Sequence, residues 1–162
     1  MAEKKLDDLF YDTLKDIYYA ERKILTALPK MARGAQSSEL QAAFEKHAEE
    51  TQMQVERLQQ VFELIGKAAR GKTCPAIDGI LEEGDEIASD YKGTSALDAG
   101  LVSAAQAVEH YEIARYGTLR RWAQMLGLTD AVSLLEATLA EESATDEALS
   151  ALAEQMANEK AA

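Results

Sequence analysis

Acidic side chains occupy positions in this sequence where a helix packed in a protein core would normally carry leucine. Glu21 lies between Ile17 and Leu25 on one apolar stripe with helical spacing. Glu112 and Glu142 hold similar positions on two later stripes. A buried carboxylate is costly unless it is protonated, paired with a cation or bound to a metal. These residues therefore indicate a site inside the fold, in addition to ordinary surface charge.

Further polar residues lie on or near the same stripes and extend the candidate set. They are His47, Glu50, Gln54, Glu109 and Asp146. One acid alone would reach the edge of the fold and pair with lysine or arginine. Several acids at one level of the fold must be protonated, paired with cations or bound to metal, because like charges a few ångströms apart repel each other. Glu50 lies nearer the edge of its stripe, and His47 is either a ligand or a core histidine that donates to a carboxylate.

Two divalent cations are the usual reason for a layer of carboxylates inside a helical bundle. The predicted ligands are carboxylate oxygens with at most one imidazole, and such donors suit iron or manganese better than a metal that prefers soft ligands. His110 falls on the opposite side of its helix from Glu112. We therefore expect His110 to be a surface histidine.

The acids must be positioned by long helices, because four long segments have helical periodicity. They cover about residues 4–32, 38–66, 95–126 and 130–158. Short connections near Gly34 and Gly127 predict two antiparallel hairpins. The stretch Lys67 to Ser95 must cross the bundle and carries helical spacing between Ile77 and Tyr91. The sequence therefore predicts an all-α, ferritin-like four-helix bundle, with residues 1–162 forming one domain.

Local signals refine where these helices begin and end. Ser37 or Ser38 is a plausible N-cap of the second helix, and Gly66 and Gly127 should follow the ends of the second and third. Pro29 should end or kink the first helix near its last turn.

The heights of four acids can be compared by counting from the two hairpin turns, centred near residues 35.5 and 127. Glu21 and Glu50 lie 14.5 positions before and after the first turn, and Glu112 and Glu142 lie 15 positions before and after the second. With a rise of about 1.5 Å per residue, equal offsets place all four carboxylates in one layer. The sequence Ala-Glu-Glu-Thr at 48–51 also recurs as Ala-Glu-Glu-Ser at 140–143, which predicts two hairpins related by a pseudo-two-fold axis.

Composition excludes several classes of partner. The chain has 29 acidic and 17 basic residues, a formal net charge of −12, which would repel nucleic acids and anionic membrane surfaces. No apolar run is long enough for a signal peptide or a membrane span. Cys74 is the only cysteine, so an intrachain disulfide is impossible. We therefore expect a cytoplasmic protein.

Several motifs together resemble the YciE/YciF family of bacterial ferritin-like proteins, which are linked to stress responses. They include His-Ala-Glu-Glu-Thr at 47–51, Cys-Pro-Ala at 74–76, Glu-His-Tyr-Glu at 109–112 and Leu-Ala-Glu-Glu at 139–142. The resemblance extends over nearly the whole chain. It implies a ferritin-like bundle that forms a homodimer, and it leaves the activity open.

The wider di-iron superfamily, which includes rubrerythrins and ferritins, usually has Glu on helices one and three and Glu-x-x-His on helices two and four. Here Met53 and Thr145 stand at the positions of the two histidines. Gln54 and Asp146, one position further on, are the substitutes that the chain offers, and Glu109 with Glu112 resembles the paired acids of rubrerythrins. These departures weaken the expectation of oxygen-activating chemistry more than that of metal binding.

Two hypotheses about function follow. In the first, two iron or manganese ions are bridged by Glu50 and Glu142, are held terminally by Glu21, Glu112 and Asp146, and react with peroxide or oxygen or are stored. In the second, the chain is a non-enzymatic structural stress-response protein whose acids form a relic polar network. The sequence leaves open whether the protein is an enzyme.

Overall fold

A computed structural model describes residues 3–162, apart from the side chain of Met156, which periodicity assigns to the apolar stripe of the fourth long helix. These residues form α-helices and contain no strand. The helices are α1 (Leu6–Gly34), α2 (Ser38–Leu64), α3 (Pro75–Asp90), α4 (Leu97–Met125), α5 (Thr129–Leu152) and α6 (Asn158–Ala161), with a π-helical turn at Ala153–Ala157. The predicted all-α bundle is confirmed, with α1, α2, α4 and α5 as its four long helices.

Three predicted helix boundaries are found, one in each hairpin turn and one where α2 leads into the crossover. Ser37 is the N-cap of α2, and its hydroxyl accepts a hydrogen bond of 3.2 Å from the backbone N–H of Leu40. Gly66 and Gly127 follow α2 and α4 with φ angles of 66° and 71°. Glycine adopts this left-handed conformation without the steric cost that a side chain would add.

Helix α1 does not end at Pro29, so of the two predicted effects, an end or a kink, the end is excluded. The helix continues to Gly34, and the backbone N–H of Ala35 still bonds to the carbonyl of Met31 at 3.0 Å. Proline removes one donor in the last turns of the helix. Ala32 and Ala35 are buried beyond it, and their packing supports the continued helix.

The C-terminal segment also differs from the prediction of one helix to residue 158. Helix α5 ends at Leu152, and the π-helical turn leads into α6. Leu149 and Ala157 are both buried, on either side of this change in winding.

The two hairpins pack against each other to form the core. Helix α1 pairs with α2 and α4 with α5, while α2 also packs on α5 and α1 on α4. The crossover helix α3 is confirmed and lies against α1 and α4, where the Tyr19 hydroxyl lies 2.9 Å from both carboxylate oxygens of Asp78. None of the helices in residues 3–162 has the length and apolar character that crossing a membrane would need.

Candidate metal centre

Four side chains from three helices meet in the middle of the bundle. Helix α2 supplies His47, α4 supplies Glu109 and Glu112, and α5 supplies Glu142, and all four are buried. One donor atom from each lies within 4.8 Å of the others. Such a group of one imidazole and three carboxylates is compact enough for all four side chains to contact the same ion.

Glu21 on α1 belongs to the same polar centre. It is fully buried, and its Oε1 accepts a short hydrogen bond from the hydroxyl of Tyr116 on α4. Burial, followed by the charge of Glu142, raises the pKa of Glu21 to about 8. All four long helices of the bundle therefore contribute to the centre. We call Glu21, His47, Glu109, Glu112 and Glu142 the acid cluster.

The acid cluster has many acceptor atoms and few donors. Among the described residues, nine buried donor or acceptor atoms here have no hydrogen-bond partner: both oxygens of Glu112 and of Glu142, Oε2 of Glu21 and of Glu109, both ring nitrogens of His47, and Oε1 of Gln54. His47 Nε2 lies 3.0 Å from Glu109 Oε1, but without the geometry of a hydrogen bond. Buried polar atoms normally have partners. Glu112 lies within hydrogen-bond reach of Glu21, and Glu142 of Glu109, so either protons shared between carboxyl groups or bound cations would satisfy this set.

Burial and mutual repulsion favour the protonated forms of these carboxylates when no cation is present. The pKa values of Glu112 and Glu142 are raised well above the ordinary range, with burial as the main cause in both. Burial also raises the pKa of Glu109 to about 7, and the charges of Glu21, Asp146 and Glu50 add to the effect. The centre is therefore able to exchange protons for metal ions near neutral pH.

Glu50 lies outside the acid cluster, at the edge of the inward face of α2. Its side chain is 19% exposed, 3.4 Å from Nζ of Lys46, and it accepts a hydrogen bond of 3.4 Å from the hydroxyl of Thr145. The pseudo-two-fold symmetry of the sequence is thus broken at this pair, since its counterpart Glu142 points inward. The cause lies in α2 itself, where His47 and Thr51 occupy the inward face.

Asp146 also lies outside the acid cluster. It accepts a hydrogen bond of 3.2 Å from the side-chain amide of Gln106, and its other oxygen lies 3.2 Å from Nε2 of His110. The His110 side chain is 70% exposed, so the expected surface histidine is found. Asp146 therefore already has two partners on α4.

Gln54 is buried beside the acid cluster and is held by an ion pair. Its amide group donates to Glu141 at 3.1 Å, and Arg57 binds both oxygens of Glu141 at 2.6 Å. This clamp leaves Gln54 Oε1 without a partner. No pattern in the sequence predicts the Arg57–Glu141 pair, although Glu141 stands next to Glu142 in the repeated motif.

A four-helix bundle with one long crossover and inward carboxylates has the architecture of the ferritin-like class of helical proteins. Residues 5–162 match the family model described as a domain of unknown function, DUF892. The chain belongs to this family, which confirms the predicted family resemblance.

Named relatives agree with this assignment over nearly their whole length. The chain is 44% identical to Protein YciF of Escherichia coli strain K12, covering 99% of this chain and 98% of the relative. The crystal structure of the E. coli stress protein YciF matches with a TM-score of 0.89 and 43% identity, over 93% of this chain and 96% of that one. YcfI of Rhodopseudomonas palustris, for which a structural role has been suggested, matches with a TM-score of 0.89 and 49% identity over 91% and 94%.

Proposed function

We propose that the acid cluster binds two divalent metal ions, iron or manganese, and that the protein is a ferritin-like di-metal protein of the stress response. The observation that carries this proposal is the set of nine buried, unpartnered donor and acceptor atoms around the cluster. Oxygen donors with one imidazole favour these metals over softer ones. The stress role rests on the relative YciF, which is described as a stress protein.

The geometry favours a different bridging pair from the one that sequence symmetry suggests. Glu112 and Glu142 each have two unpartnered oxygens, so each is able to contact both ions. Glu21, which interacts with Glu112 and Glu142, would contribute a terminal donor, and His47 and Glu109 would contribute the others. The amide oxygen of Gln54 is available as a further metal ligand, whereas Glu50 and Asp146 contact other side chains.

A bound pair of such ions would supply two neighbouring one-electron centres for chemistry with a small oxidant such as peroxide or oxygen. The chain's own residues position the ligands of the site. Tyr116 orients Glu21 through its hydrogen bond, and the Arg57–Glu141 pair fixes the amide of Gln54. Apolar packing around the cluster limits water and strengthens the attraction between carboxylates and cations.

Elemental analysis tests the proposal. Protein purified without chelator, or reloaded with Fe²⁺ or Mn²⁺, should contain about two equivalents of metal per chain. Glu112→Ala and Glu142→Ala should each reduce the content to less than about half an equivalent, because each removes a ligand shared by both ions. Glu49→Ala is the matched control, since Glu49 is an exposed acid on α2. A content below about a tenth of an equivalent after reloading would contradict the proposal.

The second candidate is a non-enzymatic structural protein of the stress response. It is favoured by the structural role suggested for YcfI and by the raised pKa values, which allow neutral carboxyl groups to share protons inside the bundle. The same elemental analysis separates the two functions. The cytoplasmic location and the homodimer stay predictions. Light scattering of the full chain tests whether it forms a dimer.

A further inference from the structure

A narrow channel leads from the protein surface to one side of the acid cluster. It has a volume of about 50 Å³ and lies between α2, α4 and α5. Lys46, Glu50 and Thr145 line its mouth, where the Lys46 side chain is 74% exposed. His47 and Glu109 of the acid cluster line its inner end. We call this space the α2–α5 channel.

Half of the residues that line the α2–α5 channel are apolar. They are Ala43, Phe44, Ala105, Leu149 and, on the exposed side, Ala148. Such walls cannot replace the water shell of an ion, so a charged solute would lose solvation without compensation. At the mouth, Lys46 pairs with Glu50 at 3.4 Å, which reduces the field that would attract an ion.

The size of the α2–α5 channel sets a second limit. Its volume of about 50 Å³ leaves room for a few water molecules, since about 10–15 Å³ of such space holds one. A molecule with two heavy atoms therefore fits. A much larger cavity of about 760 Å³ lies between α1, α3 and α4, but no residue of the acid cluster lines it.

We propose that the α2–α5 channel admits an uncharged oxidant of two oxygen atoms, dioxygen or hydrogen peroxide, to the His47 and Glu109 side of the acid cluster. This inference rests on the proposed di-metal function. It gives Glu50 a role at the mouth, where the hydrogen bond that it accepts from Thr145 at 3.4 Å joins α2 to α5 beside the opening. The channel thereby favours small uncharged substrates over ions.

Xenon binding tests the channel without any metal. Crystals of the metal-free full chain under xenon pressure should show a xenon atom between Phe44 and Leu149, because xenon binds between buried apolar side chains. Ala105→Val, which fills the cavity from its buried wall, and Ala148→Leu, which narrows it from the exposed side, should both remove that atom. Ala144→Leu is the control, since Ala144 is exposed on α5 and does not line the channel. Absence of xenon from the wild-type channel would overturn the proposal.

Oxidant consumption by the metal-loaded protein tests the route. Ala105→Val should slow consumption of both dioxygen and hydrogen peroxide by about tenfold or more at unchanged metal content. If only one oxidant is slowed, that oxidant is the one that uses the channel, and if neither is slowed the route is wrong. A branched hydroperoxide should react slowly with the wild type as well. A chain that holds no metal overturns the proposed function, and the xenon measurement then still decides whether the channel takes a small apolar ligand.

Discussion

The metal-free protein should lose stability as the pH rises from about 5 to about 8. Burial holds the folded-state pKa of Glu21 at about 8 and that of Glu109 at about 7, against the ordinary glutamate value of 4.5. The folded state therefore binds more protons than the unfolded state throughout this interval. Each such group contributes its full stabilisation below pH 4.5 and loses it as the pH rises through the folded-state value. Because several carboxyl groups share the effect, we expect a fall of several kcal/mol in the free energy of unfolding.

Urea denaturation of chelator-treated protein at several pH values measures this fall. Adding Fe²⁺ under reducing conditions, or Mn²⁺, at pH 8 should restore stability, because metal ions bind the deprotonated carboxylates. A free energy of unfolding that stays level or rises between pH 5 and pH 8 without metal would contradict the assignment of raised pKa values to the acid cluster.

Glu112→Gln should have opposite effects with and without metal. Glutamine has nearly the same size and no charge, so the metal-free variant does not have to take up a proton at this position to fold at pH 8. It should therefore be more stable than the wild type at pH 8, by about 1.4 kcal/mol for each unit by which folding raises the Glu112 pKa, up to pH 8. The same substitution removes a proposed bridging ligand, so added metal should no longer raise the melting temperature. Differential scanning calorimetry at pH 8, with and without metal, measures both effects.

The matched control for this variant is Glu49→Gln on the exposed face of α2. It should change stability by no more than about 0.5 kcal/mol and keep the full response to metal. If Glu112→Gln instead destabilises the metal-free protein at pH 8, protein groups rather than metal ions compensate the Glu112 carboxylate.

Much of the fold could be predicted because its signals are local. Apolar periodicity defines the four long helices, and Ser37, Gly66 and Gly127 define turns through their own backbone preferences. Pro29 left both an end and a kink open, because its effect depends on the packing that follows it, where Ala32 and Ala35 are buried. The change from α5 to the π-helical turn likewise had no local signal.

The site could be predicted where the angular position of a residue around its helix decides whether the residue is buried. Glu21, Glu112 and Glu142 lie at the centres of their stripes, and all three are fully buried. Glu50 matched Glu142 in height and local sequence, but it stood nearer the edge of its stripe, and the structure places it beside Lys46. Height along a helix and repeated sequence are therefore weaker guides to burial than angular position.

Contacts between distant segments were beyond the reach of sequence reasoning. The Arg57–Glu141 pair joins α2 to α5, and the bond between Gln106 and Asp146 joins α4 to α5. Each depends on the relative rotation of two helices, which the stripe of one helix alone does not determine. These pairs decide which polar side chains keep free oxygens for a ligand.

Anomalous X-ray scattering from crystals of the metal-loaded protein tests the central claim most directly. Data collected on both sides of the manganese or iron absorption edge should show two peaks a few ångströms apart between Glu112 and Glu142. Glu21 should lie at one peak, with His47 and Glu109 on the other side of the pair. Crystals whose metal content is established by elemental analysis, but whose anomalous peaks lie only at surface carboxylates, would contradict the account.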